Sequence, residues 1–221
     1  MNKDDNYYYD VCRDRGTSIY HLWEEQNWVN DSITPSVHVP EYQRLISEQI
    51  ALLTHTGSQV FSLGCGNGFV EAMLVRAGVP VKAIDLNEVA AELARRKGVD
   101  AIQKNFFDTT AADFAGVGTI YSDGFVGHLF HPETGLDDFF RHLTTLAIAP
   151  GTPLIISNDA PLDEQRLFQP HEKVPDFWYV SPAYLEEAGC KWGLTPKLSQ
   201  YYFYSRPVSG VRKRTIYICT F

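Results

Sequence analysis

Cysteine is scarce in this sequence, and its arrangement excludes two classes of small protein. The four cysteines among the 221 residues, Cys12, Cys65, Cys190 and Cys219, lie far apart and form no C-x-x-C pair. Disulfide frameworks and structural zinc sites both depend on cysteines at short, regular spacings. We therefore expect a hydrophobic core, with neither disulfides nor a metal, to stabilise the chain.

Long apolar runs and an excess of positive charge are also missing. No segment approaches the ~20 consecutive apolar residues that cross a bilayer, and residues 1–6 lack the apolar core of a secretory signal. The net charge is −8, from 19 Lys and Arg against 27 Asp and Glu, which disfavours a polyanionic partner. The dense basic run Arg212-Lys213-Arg214 is typical of a solvated strand edge. We expect a cytoplasmic protein that contacts neither membranes nor nucleic acids.

Residues 1–40 and 41–221 differ in composition and in hydrophobic periodicity, which predicts an aromatic-rich extension followed by one domain. The extension carries Tyr and Trp among acidic residues without a sustained period, whereas the domain alternates short apolar runs with amphipathic stretches. The predicted strands cover residues 59–63, 81–84, 101–102, 118–121, 153–157, 198–204 and 212–220. The predicted helices cover residues 41–54, 67–77, 87–97, 136–146 and 182–189.

This alternation predicts an α/β fold with a doubly wound, mostly parallel seven-stranded sheet and helices on both faces. The last two predicted strands flank the turn-rich residues 206–210. They therefore predict a C-terminal antiparallel hairpin at the end of the domain.

The first predicted strand ends in a glycine-rich turn, Gly64-Cys65-Gly66-Asn67-Gly68, which leads into a helix. Glycine is needed where a ligand approaches the backbone so closely that a Cβ would block it. Turns that bind dinucleotides have the spacing G-x-G-x-x-G, which would need a glycine at position 69, where the sequence has phenylalanine. The turn therefore indicates a ligand site of another kind.

Asp85 ends the second predicted strand, 21 residues after Gly64. In a doubly wound sheet a carboxylate there lies beside the first loop and can accept hydrogen bonds from both hydroxyls of a ribose. The alternative is that Asp85 only ends a strand. The glycine turn beside it favours the ribose.

In the order of its motifs, the sequence from about residue 41 to 221 resembles the class I S-adenosylmethionine-dependent methyltransferases. The glycine turn and Asp85 match the first two motifs of that family, and residues 104–108, 121–128, 149–156 and 183–189 match its later landmarks. The resemblance implies S-adenosylmethionine as cofactor and S-adenosylhomocysteine as product. It also implies the following cofactor-binding residues: Gly64, Cys65, Gly66, Asn67, Gly68, Asp85, Leu86, Asn105, Phe106, Phe107, Ser122 and Asp123.

Two positions depart from the family pattern. The family usually has an acid two residues before the first glycine, where it helps to orient the methionine part of the cofactor, and this chain has Ser62. On the adenine side Asn105 stands where the family often has Asp, and its amide carbonyl can still accept from the adenine amino group. Phe106 and Phe107 can flank the ring, although we expect one of them to be core.

Methyl transfer from a sulfonium is an in-line displacement that needs alignment and a dry pocket more than a strong catalyst. Asp123 and His128 follow the fourth predicted strand, at the switch region where ligands bind in such sheets. We predict both as catalytic residues, with His128 as base or acceptor-orienting group because an imidazole titrates near neutral pH. The alternative is that His128 completes the hydrogen bonding of the loop. His131 is three residues away, but without a third ligand the pair does not predict a metal site.

The acceptor is expected at the same rim of the sheet. Asp159, after the fifth predicted strand, can bind a cationic amine or cap the next turn. The aromatic side chains of the extension can cover the pocket as a lid, or they can anchor the extension to the domain. The predicted substrate-binding residues are Tyr20, Trp23, Trp28, His128, Asp159 and Tyr201.

Together these features predict methylation of a small-molecule acceptor at nitrogen or oxygen, and they carry no indication of oligomeric state. One alternative is a non-catalytic protein that binds the cofactor on a degenerate methyltransferase fold, with Ser62 as its only support. A second alternative is a protein methyltransferase. A nucleotide-linked oxidoreductase is disfavoured by the glycine spacing and the terminal hairpin.

Overall fold

The structure is a computed structural model that describes residues 18–27 and 31–221. Its strands are β1 (Gln59–Leu63), β2 (Val81–Asp85), β3 (Asp100–Gln103), β4 (Val117–Asp123), β5 (Pro153–Asp159), β6 (Phe168–Pro170), β7 (Trp178–Val180), β8 (Thr195–Arg206) and β9 (Gly210–Thr220). Its helices are α1 (Ile19–Glu24), α2 (Pro35–His38), α3 (Pro40–Leu53), α4 (Phe69–Arg76), α5 (Glu88–Arg96), α6 (Val126–Leu129), α7 (Asp137–Thr145) and α8 (Pro182–Lys191). Two 3₁₀ turns, Phe106–Asp108 and Ala111–Phe114, follow β3.

Seven of these strands form one sheet in the order β3-β2-β1-β4-β5-β9-β8. The strands from β3 to β5 in that order are parallel, and β9 runs antiparallel to both β5 and β8. The predicted fold class is therefore confirmed. Because the strand order reverses between β1 and β4, the carboxyl ends of these strands border a crevice of the kind that holds ligands in such sheets.

Helices cover both faces of the sheet, and alternate residues of each strand serve the two sides. Phe61 of β1 packs with Phe139 of α7 on one side. Its neighbour Val60 packs on the other side with Ile46 of α3 and Leu74 of α4. Within residues 18–27 and 31–221, no helix combines the length and apolar character needed to cross a membrane.

Side chains cap two of the helices that the sequence predicts. The Asn87 side-chain oxygen accepts hydrogen bonds from the backbone N–H groups of Val89 (2.9 Å) and Ala90 (3.3 Å) at the start of α5. The Ser181 hydroxyl accepts one from Tyr184 (3.1 Å) at the start of α8. Each cap satisfies helix N–H groups that have no partner inside the helix.

The short sheet of β6 and β7 was not predicted. Each of its strands has three residues, which is too few for an alternating pattern to be recognised. It lies in the connection between β5 and α8. The loop between its strands matters for the site, because residues 171–174 line the cavity described below.

Helix α4 begins at Phe69, two residues later than predicted, because the glycine turn extends to Gly68. Gly64, Gly66 and Gly68 all have left-handed backbone conformations, with φ values of 68°, 52° and 69°. A Cβ on Gly68 would lie 2.8 Å from the Ala94 Cβ of α5. The turn therefore needs glycine at this position both for its conformation and for its contact with α5.

Helix α1 lies beside the glycine turn. Ile19 and Tyr20 of α1 pack with Ala90 and Leu93 of α5. The division of the chain into an extension (1–40) and a domain (41–221) stays a prediction. The described part of that extension nevertheless contacts the helix that follows β2.

Gly68→Ala is expected to destabilise the protein more than Gly78→Ala. Both glycines have positive φ (69° and 82°), but a Cβ at Gly78 would meet nothing within 4 Å. A left-handed backbone costs a non-glycine residue ~1–2 kcal/mol, and overpacking against Ala94 would add ~1–3 kcal/mol at Gly68 alone. Urea unfolding followed by circular dichroism would measure both losses, and equal losses would contradict close packing of the turn on α5.

Candidate active site

A cavity of about 470 Å³ opens at the carboxyl ends of the parallel strands. Its lining includes most of the residues predicted from the sequence: Tyr20, Trp23, Gly64, Cys65, Gly66, Asn67, Gly68, Asp85, Leu86, Asn105, Phe106, Phe107, Asp123, His128 and Asp159. Ser122 and Tyr201 are not part of the lining, and Trp28 lies outside the described residues. The glycine turn, the ends of β2, β4 and β5, and the 3₁₀ turn after β3 therefore meet at one place.

Asp85 is held at the base of the glycine turn. Its two carboxylate oxygens accept hydrogen bonds from the backbone N–H groups of Gly66 and Asn87, each at 2.8 Å. Burial raises the pKa of Asp85 to about 6, and the two N–H groups oppose that rise. Each oxygen keeps a further lone pair for a ligand hydroxyl, since a carboxylate has about four acceptor positions. At Gly66 the nearest atom to a would-be Cβ is a Tyr20 ring carbon at 3.8 Å, which leaves the backbone open to the cavity.

Glu71 is a cavity residue that the sequence reasoning missed. It lies in the first turn of α4, is 3% exposed, and accepts a hydrogen bond from the Ser62 hydroxyl at 2.6 Å. Burial raises its pKa to about 7, against the hydrogen bond from Ser62. The chain therefore places a carboxylate directly beside the position where the family usually has one.

The sequence does contain a signal for Glu71. It is an acid three residues after the last glycine of the turn, within a helix face that is otherwise apolar and buried. An acid in the first helical turn is ordinarily explained by the helix dipole. Only the hydrogen bond to Ser62 distinguishes a ligand-facing carboxylate from a capping one.

Asn67 fixes α1 above the turn. Its amide nitrogen donates to the Tyr20 carbonyl (2.9 Å) and to the Glu24 carboxylate (2.5 Å). Lys97 of the α5 C-terminus forms an ion pair with the same carboxylate. The Asn67 side chain therefore connects the turn to α1, and Tyr20 is held at the cavity by its own backbone.

The adenine-side residues divide between core and surface. Phe106 is 3% exposed and packs against Phe125, Phe139 and His142, whereas Phe107 is 42% exposed. The expectation that one of the two phenylalanines is core thus fits Phe106. The Asn105 side-chain oxygen accepts from the Phe107 N–H at 3.0 Å as a local cap. One lone pair of that oxygen is therefore used within the protein, and the second can still accept from an adenine amino group.

Asp123 takes part in a buried ion network at the floor of the cavity. It forms an ion pair with Arg214, and its Oδ2 accepts hydrogen bonds from the hydroxyls of Tyr42 (2.8 Å) and Tyr121 (3.0 Å). Arg214 is 2% exposed and also donates to Asp159 at 2.8 Å. Both carboxylates predicted at this rim therefore share one guanidinium, and the Arg206 guanidinium lies 3.8 Å from the Asp159 carboxylate as a second cation.

Arg214 corrects the expectation of a solvated basic edge. In β9, Arg212 and Arg214 are opposite Tyr204 and Tyr202 of β8, on the side of the strand that faces the cavity. Only Lys213, on the other side, pairs with an exposed carboxylate. The run was misread because strand alternation separates its three charges into two environments.

Because of the same strand alternation, Tyr201, predicted to bind the substrate, does not line the cavity. Its ring lies near Phe203 (6.4 Å between centroids) and the Lys213 ammonium (5.1 Å), on the side of β8 away from the cavity. Ser122 is also misplaced in the prediction. It is fully buried in β4 between Leu63 of β1 and Ile156 of β5.

His128 lies in α6 and is buried against the Phe177 ring, with 4.6 Å between ring centroids. Burial, with a smaller contribution from His171 in its protonated form, lowers the pKa of His128 to about 4. The predicted role of His128 rests on an imidazole that titrates near neutral pH, whereas burial keeps this ring neutral well below that pH. His131 is exposed, and the described residues contain no group of three His, Cys, Asp or Glu side chains arranged for a metal.

No family model matches the chain, and the solved structures with a similar fold include several methyltransferases. The 1,6-didemethyltoxoflavin-N1-methyltransferase of Burkholderia thailandensis is 22% identical with a TM-score of 0.63, covering 100% of this chain and 91% of that one. The magnesium protoporphyrin IX methyltransferase of Synechocystis PCC 6803 is 16% identical with a TM-score of 0.63, covering 100% and 98%. The geranyl diphosphate C-methyltransferase of Streptomyces coelicolor A3(2) is 13% identical with a TM-score of 0.59, covering 83% and 82%. The fold is that of the class I S-adenosylmethionine-dependent methyltransferases, which confirms the resemblance found in the sequence.

The chain also has a sequence relative. A tabtoxin biosynthesis enzyme of Pseudomonas amygdali pv. tabaci is 45% identical over 212 residues, which cover 95% of this chain and 84% of that protein. The chain belongs to the family of that enzyme.

Arg214→Met is expected to lower the free energy of unfolding by about 3–5 kcal/mol, because it leaves Asp123 and Asp159 buried without their cation. The matched control is Lys213→Met on the same strand, whose partner Glu164 is 82% exposed and whose loss should cost at most about 1 kcal/mol. Chemical denaturation of both variants would measure the difference. Similar losses would show that the buried network does not stabilise the sheet.

The unliganded protein is expected to lose stability as pH rises from about 4.5 to about 7 through the ionisation of Glu71. Burial gives this carboxyl a higher pKa in the folded chain (about 7) than in the unfolded one, so the folded state binds more protons in that window. Glu71→Gln should remove the contribution of Glu71 to the decrease in the free energy of unfolding with pH. At about pH 8 this variant should be more stable than wild type by about 1–3 kcal/mol, at 1.36 kcal/mol per pKa unit.

The control for this pH series is Glu187→Gln, an exposed acid on α8. Denaturation midpoints across the pH range, taken as differences from wild type, would cancel the contributions of all other groups. A Glu71→Gln curve parallel to that of wild type would contradict the raised pKa.

Proposed function

We propose that the protein is an S-adenosylmethionine-dependent methyltransferase that methylates a small molecule at nitrogen or oxygen. The observation that carries this proposal is the meeting of the open Gly66 backbone with the Asp85 carboxylate, at 2.8 Å, in one cavity at the strand-order reversal. The turn offers close backbone approach, and the carboxylate offers acceptors for a ribose diol. When bound, S-adenosylmethionine supplies a methyl group activated on a sulfonium.

Glu71 is assigned to the methionine end of the cofactor. Its carboxylate oxygen is 2.6 Å from the Ser62 hydroxyl, so it occupies nearly the place of the acid that the family carries at position 62. A buried carboxylate there favours an ammonium group as its partner. This assignment weakens the alternative of a degenerate, non-catalytic fold, because that alternative depended on the missing acid.

The remaining predicted residues would orient the acceptor and exclude water. The neutral His128 ring can accept a hydrogen bond from an acceptor N–H or O–H, and it remains the proposed acceptor-orienting group. Asp123 is engaged by Arg214, Tyr42 and Tyr121, and therefore acts by positioning rather than as a free base. Tyr20 and Trp23 border the cavity as proposed contributors to its cover.

A small-molecule acceptor fits the dimensions and the relatives of the chain. A cavity of about 470 Å³ lies within the range of small-molecule sites. The structural neighbours are named for methylating 1,6-didemethyltoxoflavin, magnesium protoporphyrin IX and geranyl diphosphate, and the sequence relative is named for tabtoxin biosynthesis. Nuclear magnetic resonance of a product carrying a ¹³C-methyl group would identify the methylated atom, and a carbon-bound methyl would contradict the nitrogen or oxygen assignment.

Calorimetric titration with S-adenosylhomocysteine and 5′-methylthioadenosine, which lacks the amino-acid part, separates the two ends of the cofactor site. Asp85→Ala is expected to weaken both ligands by ~1–3 kcal/mol, since the ribose acceptors are lost. Glu71→Gln is expected to weaken S-adenosylhomocysteine about tenfold and to leave 5′-methylthioadenosine within about twofold. Glu187→Gln should bind both ligands like wild type.

The outcomes separate the general proposal from the assignment of Glu71. Absence of S-adenosylhomocysteine binding by the wild type would overturn the proposed function. Equal weakening of both ligands by Glu71→Gln would leave the cofactor site intact but would contradict the assignment of Glu71 to its methionine end.

A further inference from the structure

The cavity has a second charged end, formed by the terminal hairpin and the β6–β7 loop. Arg206, Arg212, His171 and Lys173 line it there, together with acidic side chains. Whether this end favours an anion or a cation depends on which of its charged side chains already have a partner of opposite charge among the described residues.

The acids at this end are largely engaged. Asp123 and Asp159 share Arg214, as described above. The Asp31 carboxylate accepts the backbone N–H groups of Val208 (3.1 Å) and Ser209 (3.0 Å) and so fixes the hairpin turn. The remaining acid at this end of the cavity, Glu172, is exposed at the rim.

Arg212 keeps its charge available. Its Nε donates to the Ser209 hydroxyl at 3.0 Å, and among the described residues no carboxylate lies within 4.0 Å of its guanidinium. Arg206 donates from Nε (3.1 Å) and Nη2 (2.6 Å) to the Tyr204 hydroxyl, and its nearest carboxylate oxygen, on Asp159, is 3.8 Å away. Among the described residues, none accepts a hydrogen bond from the two terminal nitrogens of Arg212, which can therefore donate to a ligand.

The positive charges at this end also affect the pKa of His171. Burial first, and then the charges of Arg206, Lys173 and Arg212, lower the pKa of His171 to about 4. The His171 Nδ1 accepts hydrogen bonds from the backbone N–H groups of Lys173 and Val174, both at 2.9 Å, which leaves the proton of the neutral ring on Nε2. His171 is thus a hydrogen-bond donor beside two guanidinium groups.

We propose that this end of the cavity, centred on Arg212 with Arg206 and His171 beside it, binds an anionic group of the methyl acceptor, a carboxylate or a phosphate. Guanidinium groups recognise both oxyanions through paired N–H donors. The inference rests on the proposed function, in that it names the substrate class of the same cavity. It replaces the expectation that Asp159 binds a cationic amine, since Arg214 and Arg206 already surround that carboxylate.

The test uses the full chain and simple probes. Glutarate, its neutral analogue glutaramide, 1,5-diaminopentane and inorganic phosphate are titrated into the protein with and without S-adenosylhomocysteine, with binding followed by calorimetry. The variant is Arg212→Gln. The matched control is Lys213→Gln, which removes the same charge one residue away on the opposite side of β9 and outside the cavity lining.

Glutarate or phosphate is expected to bind the wild type and the Lys213→Gln variant within about twofold of each other, and Arg212→Gln at least tenfold more weakly. Tighter binding of glutarate identifies the acceptor group as a carboxylate, and tighter binding of phosphate identifies it as a phosphate. Equal binding of glutaramide, preference for the diamine, absence of any anion binding, or no effect of Arg212→Gln would each overturn the proposal.

Titration of His171 by nuclear magnetic resonance gives a second readout that needs no ligand. Arg212→Gln is expected to raise the His171 pKa, whereas Lys213→Gln is expected to leave it unchanged, and the reverse result would contradict the positive field. Anion binding that depends on Arg212 in a protein that does not bind S-adenosylhomocysteine would support this site while refuting the proposed function.

Discussion

The buried guanidinium of Arg214 is the interaction on which the rest of the site depends. A cation that is 2% exposed is tolerable only if carboxylates and hydrogen-bond acceptors surround it, and Asp123, Asp159 and Ser157 do so. These partners come from the ends of β4 and β5, while Tyr42 brings α3 into the same network. The carboxyl ends of the central strands are thereby held together, and the floor of the cavity is built from charges that pair with one another.

The parts of the fold that could be predicted are those encoded locally. Strand and helix periods, the glycine turn, and the caps at Asn87 and Ser181 are each read within about ten residues of sequence. The network around Arg214 was not predictable in this way, because its members lie on strands that are distant in sequence and adjacent only through the strand order. The burial of His128 could not be predicted for a related reason. It depends on Phe177, which lies in the loop between β6 and β7, and these strands are too short to give a recognisable sequence pattern.

The exchange at Ser62 shows the limit of reading a motif by position alone. A linear motif records which residue occupies a position, whereas a ligand meets only the chemical group at a point in space. Here no acid stands at the end of β1, but Glu71 from the first turn of α4 lies beside Ser62 and accepts a 2.6 Å hydrogen bond from it. Under the proposed assignment of Glu71, the departure at Ser62 is a relocation of the same chemical group and not a loss of it.

The net charge of −8 is a sum over the whole chain and does not describe how charge is distributed within the cavity. Glu71 and Asp85 give the proposed cofactor end a negative character, whereas Arg206 and Arg212 give the far end a positive one. Charges in a partly dry cavity act more strongly than the same charges in water. Such a polarised cavity would favour a cationic sulfonium cofactor at one end and an anionic acceptor at the other, so that each ligand is drawn to its own place and disfavoured in the other. Orientation of two reactants for an in-line displacement then follows from electrostatics, which suits a reaction that needs alignment more than it needs a strong base.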